Sequence, residues 1–368
     1  MVPATIDDIE AAWLEEVLAE AGFGRVWLSD ISVEPLAVGI GLLAAVARVG
    51  LVHDDDRAPR SVIVKLPSQD MRARSIADQF GYYRREAGTY RDLLRDLPRD
   101  DLRTPLCYAV LEGSVGPVLV LEDLPHVVGD QVTGASREQA LAAAELLANI
   151  HSYFWDNETL HQHTWLPSPI DEVIAGYGRL FELTWPMFVN NFGSHIPREH
   201  LGAAERAITH FTSVTQGFAQ VPQTLIHGDF RLDNLLFSSD PLAPDDEPIA
   251  HVLDWQLAAR GRGPYDLAFF VAGSVTANQR RLHERAIVER YHGYLQLGGV
   301  SDYTLEDCWR DYHWGHVLNL PNPITAAVAV PPGNERGRQL LTSNAERALA
   351  AIADFDRRGY YNDGFFND

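Results

Sequence analysis

The chain has 368 residues and a mass of 41.0 kDa, more than one simple hydrophobic core supports, so two lobes or domains are expected. Hydrophobic residues make up 46% and charged residues 22%, which excludes a disordered tail. Thirty Lys and Arg against 51 Asp and Glu give a net charge of −21, which argues against nucleic acid or an anionic membrane as partner and suits a cationic or neutral substrate.

The N-terminus reads Met1-Val2-Pro3 and then Asp7, Asp8 and Glu10, without the basic start and apolar run of a signal peptide. Residues Thr5 to Ala21 read as an amphipathic helix, with Thr5 and Asp8 at capping-box spacing. Strand-like Val26–Leu36 follows, then Val38-Gly39-Ile40-Gly41 and a second apolar run, Leu42–Val52. The most apolar stretch, Leu36 to Ala47, is well short of the roughly 20 residues a membrane helix needs. A polar turn over 53–59 leads into Ser61-Val62-Ile63-Val64-Lys65-Leu66, and such runs joined by turns predict an antiparallel meander. Apolar Ile76, Phe80, Tyr83, Ala87, Tyr90 and Leu94, three or four apart, predict one helix over about 72–96, with Arg84 and Arg85 facing solvent. Two more strands, Leu106–Leu111 and Val118–Leu121, are joined by a hairpin marked by Gly113 and Gly116.

After Glu122-Asp123-Leu124-Pro125 the character changes, and Ser136 to Trp155 opens a mainly helical remainder. The exception is 224–254, with strand-like Thr224-Leu225-Ile226, Leu235-Leu236-Phe237 and Ile249–Leu253 and a solvated connection, Ser238–Pro248. The uncharged stretch 316–334 is broken by Pro321, Pro323, Pro331 and Pro332. Two cysteines, Cys107 and Cys308, cannot form a disulfide framework and point to a reducing compartment, so a soluble cytoplasmic protein is expected.

Of the 30 basic side chains, 29 are arginine and one is lysine, Lys65. By residue type alone two readings stand: chance survival at a strand edge, or a site that needs a compact ammonium where a planar guanidinium will not fit. The sharpest chemical pattern lies downstream, in His227-Gly228-Asp229-Phe230-Arg231-Leu232-Asp233-Asn234. A carboxylate followed five residues later by an amide, between two apolar strand-like pieces, suits phosphoryl transfer. Asp229 can accept the proton of an attacking hydroxyl, and Asn234 can give Mg²⁺ a neutral oxygen. Asp254, leaving the next apolar run in Leu253-Asp254-Trp255-Gln256, is placed to ligate the same metal. His-Gly-Asp or Asp-Trp alone carries little; the set in this order carries much more.

His227-Gly228-Asp229 with Asn234, then Asp254, resembles the catalytic loop and metal aspartate of the protein-kinase-like small-molecule kinases, among them aminoglycoside phosphotransferases and choline kinases. With Pro264-Tyr265-Asp266-Leu267-Ala268-Phe269-Phe270, the chain most resembles the bacterial ecdysteroid-kinase-like branch, over about residues 35–320. The resemblance implies a bilobal α+β fold: an antiparallel sheet plus one helix at 1–122, a hinge at 123–130, and a larger, mainly helical lobe at 131–368. It implies ATP and Mg²⁺ as cofactors, a small-molecule hydroxyl as acceptor, and a monomer or homodimer. Lys65 then matches the lysine that holds the α- and β-phosphates, and Glu86, twenty-one residues on, the glutamate that pairs with it. Gly39 and Gly41 could approach a phosphate through their amides, or form an ordinary hairpin turn. Glu122 and Leu124 resemble the hinge whose backbone meets adenine, with the side chains of Glu122 and Asp123 exposed. Arg231 either stabilises charge on the transferred phosphate or pairs with Asp233 or another acid. His227 is expected to hydrogen-bond within the loop, and Asp266 to brace it.

Other features have plainer readings. His151, His161 and His163 lack the spacing of a zinc set and read as solvated or hydrogen-bonded. Val173, Tyr177, Phe181, Trp185 and Phe188 form a helical stripe that reads as core, or else as one wall of a pocket for a bulky acceptor. Asp302, Glu306, Asp307 and Asp311 read as a solvated acidic face, or as an attraction for an amine. Only eleven residues separate Asp254 from Asp266, too few for the activation segment of a protein kinase. A bulky alcohol such as a steroid-like or secondary-metabolite hydroxyl is the favoured acceptor. An aminoglycoside, giving antibiotic resistance, is the alternative, and a catalytically silent nucleotide-binding module a remoter one.

Overall fold

The computed structural model describes residues 1–36, 43–95, 97, 102–125, 127–168, 171–239, 248–329 and 335–361. The Gly39 and Gly41 turn and most of the 238–248 connection lie outside them. The chain divides into two compact units. The first holds Met1–Arg99, Thr104–Pro125 and Asp254–Leu257; the second holds Asp100–Arg103, His126–Leu253 and Ala258–Asp368.

The first unit opens on a 3-10 turn, Ile6–Asp8, followed by α1 (Ala11–Leu18). The helix expected over Thr5 to Ala21 is therefore interrupted. Thr5 and Asp8 do pair as a cap, Asp8 Oδ2 accepting from Thr5 N at 2.9 Å and from Oγ1 at 2.8 Å. Ile9 and Glu10 are extended, however, because Ile9 turns into the core, and the helix restarts after them. Trp13, Leu14, Val17 and Leu18 share that core with Ala47, Val49, Val62, Val64 and Val120 of the sheet. The sheet comprises β1 (Asp30–Leu36), β2 (Ala44–Val52), β3 (Ser61–Pro67), β4 (Cys107–Gly113) and β5 (Gly116–Glu122), all antiparallel in the order β1-β2-β3-β5-β4. Because side chains alternate along a strand, burying Val62, Val64 and Leu66 turns Lys65 to the other face. Strand β3 is central, and Lys65 is held in register by Val46 on one side and Leu119 on the other.

The single helix expected over 72–96 is two, α2 (Met71–Gln79) and α3 (Tyr82–Gly88), with a widened last turn to Leu93. Asp70 caps α2, accepting from Arg72 N and Ala73 N at 2.7 and 3.0 Å. The break comes at Gly81, whose φ of +67° lies in the left-handed region open to glycine and resets the helical phase. Tyr83, Ala87 and Tyr90 are accordingly buried while Ile76, before the break, is exposed. Arg84 is exposed as expected; Arg85 is not, and lies buried at 4% exposure.

The second unit contains β6 (Val127–Val128), α4 (Arg137–Tyr153), α5 (Glu172–Phe192), α6 (Arg198–Ile208), α7 (Phe211–Phe218), β7 (Thr224–Ile226), β8 (Leu235–Ser239), β9 (Pro248–Val252), β10 (Ala259–Gly261), α8 (Pro264–Ser274), α9 (Ala277–Leu297), α10 (Leu305–Asn319), α11 (Pro321–Ala329) and α12 (Glu335–Arg357). One unit bears the sheet and the other is mainly helical, the expected α+β class. The expected start of α4 holds: Ser136 and Gln139 form a reciprocal cap at 3.0 and 3.1 Å. The β8–β9 hairpin, in register at Leu235 and Val252, brings Asn234 to Leu253, whose N–H donates to the Asn234 carbonyl at 2.9 Å. Strand β7 pairs with β10, Ile226 opposite Ala259. No helix among the described residues is long and apolar enough to cross a membrane.

The plainer sequence features resolve individually. Phe181 and Phe188 are buried core, stacked through Trp185 at 5.0 and 5.8 Å between ring centroids, whereas Tyr177 and Trp185 are only half-buried. The acidic face is partly a misreading. Asp311 is fully buried, accepting from Arg262 at 2.8 Å and from the Tyr303 hydroxyl at 2.7 Å, because α10 turns that position inward. Asp307 caps α10 with Thr304, and Asp302 and Glu306 stay exposed. His161 Nδ1 lies 2.5 Å from Arg260, and His151 is buried.

Candidate active site

In the first unit the sole lysine is the centre of a charged cluster. Lys65 Nζ lies 2.7 Å from Glu86 Oε1 on α3 and 2.9 Å from Asp254 Oδ1. Burial works against the Lys65 ammonium, but the charges of Asp254 and Glu86 outweigh it and hold its pKa above the ordinary lysine value. The lysine is therefore a fixed cation. Burial pushes the Glu86 carboxyl up, opposed by Lys65; the Asp254 charge adds to the rise, and a hydrogen bond with Gln256 counters it. Asp254 itself has φ +66°, a left-handed conformation unusual outside glycine that aspartate tolerates better than most, and it opens a one-turn 3-10 helix, Trp255–Leu257. A carboxylate held in a strained backbone needs its surroundings to over-determine it. Here Lys65 and the bonds from α3 do so.

At the end of β5, Glu122 and Asp123 are half-buried, contrary to the exposed side chains expected. The Glu122 carboxylate accepts from Leu106 N at 3.0 Å, and its own N–H donates to the Leu106 carbonyl at 2.8 Å. Asp123 takes a two-pronged bond from Arg48 at 2.8 and 3.1 Å and a third from the Ser61 hydroxyl at 2.6 Å. Three side-chain donors fill most of the acceptor sites of that carboxylate. Leu124, next in the chain, is half-buried.

In the second unit the loop after β7 is bound at every step. Gly228 takes φ +82°, which turns the chain sharply after His227. The N–H groups of His227 and Gly228 donate to fully buried Asp266, at 2.5 and 2.9 Å. Asp266 is itself met by His151 Nε2 at 3.3 Å, and His151 Nδ1 meets the Tyr291 hydroxyl at 2.8 Å. His227 Nδ1 accepts from Asp229 N at 3.2 Å, so its Nε2, 2.8 Å from the Leu253 carbonyl, carries the proton. His227 and Asp266 thus brace the loop as expected. Leu232 N donates to Gln131 Oε1 at 2.9 Å and Ser274 Oγ at 3.2 Å, two ties that no sequence spacing reveals.

Within that frame Asn234 Nδ2 donates to both the carbonyl and Oδ2 of Asp229, at 2.9 and 3.0 Å. Arg231 meets the acid-pairing reading: Nε reaches Asp229 Oδ2 at 3.3 Å and its terminal nitrogen reaches Asp233 at 3.2 Å. Among the described residues no hydrogen bond engages Asp229 Oδ1, which leaves that oxygen for a proton. Asn234 has committed its NH₂ group to Asp229, so its amide oxygen is the atom it presents to a cation. That amide oxygen and, in the first unit, the carboxylate of Asp254 are each oxygen donors of the kind a hard ion such as magnesium takes. The residues fit that metal. Burial raises the Tyr265 phenol well above its ordinary pKa, aided by the charges of Tyr177, Asp266 and Asp229 and countered by a hydrogen bond with Asn322. Tyr265 thus lies within electrostatic reach of Asp229, with Tyr177 and Asn322 beside it.

The sequence profile of the ecdysteroid kinase-like family matches residues 41–298. Among solved structures, a Ralstonia eutropha JMP134 protein classed as an aminoglycoside phosphotransferase aligns with TM-score 0.55 at 16% identity, over 95% of this chain and 98% of that one. Choline kinase from Cryptosporidium parvum Iowa II gives TM-score 0.54 at 11% identity, over 97% and 98%. A spectinomycin phosphotransferase in complex with ADP and spectinomycin gives 0.54 at 14% identity, over 95% and 99%. At these identities the likeness establishes the fold. The acyl-CoA dehydrogenase family member 11 of Gallus gallus is 30% identical over 145 residues, 38% of this chain, and the chain spans only 16% of that relative's length.

Proposed function

Because the chain belongs to the ecdysteroid kinase-like family, we propose that it is a small-molecule kinase that transfers the γ-phosphate of ATP, with magnesium, to the hydroxyl of a bulky alcohol. In this reading Lys65 holds the α- and β-phosphates and Glu86 keeps its ammonium in place. Asp254 and Asn234 hold the magnesium, which when bound neutralises the charge of the triphosphate. Asp229 takes the hydroxyl proton on Oδ1 as the acceptor oxygen attacks. Arg231 offsets charge on the transferred phosphate. Backbone groups of Glu122 and Leu124 meet adenine, and Gly39 and Gly41 cover the phosphates.

What supports the reading most is the company kept by the only lysine: a buried glutamate at 2.7 Å and a strand-end aspartate at 2.9 Å. A lysine surviving by chance has no reason to meet both. For the acceptor, the family profile and the Tyr265 phenol near Asp229, with Tyr177 and Asn322 beside it, favour a bulky alcohol that hydrogen-bonds without carrying much positive charge. An aminoglycoside is the second reading, favoured by the net charge of −21. Free Cys107 and Cys308 suit action in a reducing cytoplasm. ADP release over a panel of sterols, other secondary-metabolite alcohols, macrolides, aminoglycosides and choline decides. Turnover with bulky alcohols is expected; turnover confined to aminoglycosides would install the second reading, and none with any acceptor would count against both.

The fork at Asp123 yields a narrower expectation. Asp123→Ala releases Arg48 and Ser61 and frees the segment whose backbone meets adenine. The KM for ATP should rise several-fold, in line with about 1–2 kcal/mol for lost charged hydrogen bonds at a partly exposed site, while kcat with saturating ATP holds. An unchanged KM removes the role.

A further inference from the structure

The turn carrying Asp254 is held from α3 by more than the lysine cluster. Arg85, one residue before Glu86, was expected in solvent, yet its side chain runs inward and its guanidinium donates to the Leu257 carbonyl. It lies 5.8 Å from the Tyr82 ring centroid, and Leu257 packs with Tyr82, Tyr83 and Ala77. Two consecutive α3 residues thus grip two consecutive residues of the turn, Glu86 the side chain of Gln256 and Arg85 the backbone of Leu257. The third hold, Lys65 on Asp254, is electrostatic and reaches the side chain alone.

The holds differ in what survives nucleotide binding. In the proposed function Lys65 turns to the phosphates, and its 2.9 Å contact with Asp254 must slacken when the nucleotide enters. A bond to a backbone carbonyl is untouched by that exchange. Asp254, at φ +66°, then depends on the rest of its turn to keep a conformation that most residues avoid. We propose that Arg85 is a positioning residue for Asp254: by clamping the Leu257 carbonyl to α3, it keeps the aspartate aimed for metal while the lysine is engaged elsewhere. This rests on the proposed role of Asp254 as a magnesium ligand and adds a residue that touches neither metal nor nucleotide.

The test is metal affinity in Arg85→Met, which keeps the length and apolar stem but cannot donate. Mn²⁺ binding in the presence of saturating ADP is followed by paramagnetic resonance, beside the metal-free Kd for ADP and the Tm. Partners behind a metal ligand typically govern affinity by about 10–100-fold. The Mn²⁺ Kd should therefore rise at least about tenfold in Arg85→Met, with the metal-free ADP Kd within about twofold. Arg85→Gln, which keeps a donor of shorter reach, should fall between the two. A merely structural arginine would lower the Tm and leave the Mn²⁺ Kd of the folded fraction alone; that result overturns the proposal. If Arg85→Met does not fold, the same criterion applies to Arg85→Gln, and a wild-type Mn²⁺ Kd there overturns it equally. Asp254→Ala separates the two claims. If it binds Mn²⁺ with ADP as wild type does, the metal role of Asp254 fails; if it loses the metal while both Arg85 variants keep it, only the clamp fails.

Discussion

Asp229→Ala should abolish nearly all turnover while leaving nucleotide binding intact. General acid–base groups typically contribute about 10²–10⁴ in rate, and Asp229 Oδ1 accepts no hydrogen bond among the described residues. The substitution also frees Asn234 Nδ2 and Arg231 Nε from Oδ2, but the Asn234 bond to the residue-229 carbonyl remains. The loop is pinned independently through Asp266, His227 and Leu232, so it should keep its shape. ADP affinity by calorimetry should hardly change, and the loss should sit in kcat. Full turnover in this variant would leave the chain without its proposed base and make a catalytically silent nucleotide-binding module the better description.

Lys65→Met should damage both activity and stability, and the two are separable by pH. Loss of the ammonium removes the cation proposed to hold the phosphates, where one preorganised donor is typically worth about 10²–10³ in rate. It also leaves Glu86 buried beside Asp254 with no positive charge between them. Breaking a buried pair from one side commonly costs about 3–5 kcal/mol, because the remaining charge is uncompensated. Burial already raises the Glu86 carboxyl above its unfolded pKa, and without Lys65 it rises further. The folded state then binds more protons than the unfolded state, so the variant's stability should fall as pH rises through the raised pKa and recover in acid. Denaturant unfolding of the variant at about pH 6 and pH 8 checks the sign. Equal deficits at both would mean that the glutamate carries no lasting charge problem. As the chain has a single lysine, mass spectrometry after amine-selective labelling reports on this one side chain.

The loop half of the candidate site was legible because its parts lie close in sequence. Asp229, Asn234 and the bracing His227 occupy one loop whose flanking strands announce themselves by apolar runs, and five residues of spacing become a 3.0 Å contact. Lys65 and Glu86 were legible for a different reason: one lysine among 29 arginines is conspicuous, and Glu86 falls on a helix with the right offset. Arg85 was not. On helical periodicity it belongs with exposed Arg84, and only the turn at Gly81, by resetting the phase of α3, carries it inward. Asp123 and Asp311 failed alike, since their donors Arg48, Ser61 and Arg262 come from strands and loops far along the chain.

Read alone, the amino-acid order settled the α+β class, the placing of strands and most helices, and the residue types of the candidate site. These follow from periodicity and residue type, which are local. The tertiary structure decided which charges are shared. It set one ammonium against two carboxylates, gave Asp266 two backbone N–H groups to hold, and turned a surface-looking arginine into a clamp. Such pairings join residues up to 189 positions apart, and desolvation makes them strong only once the chain has folded around them.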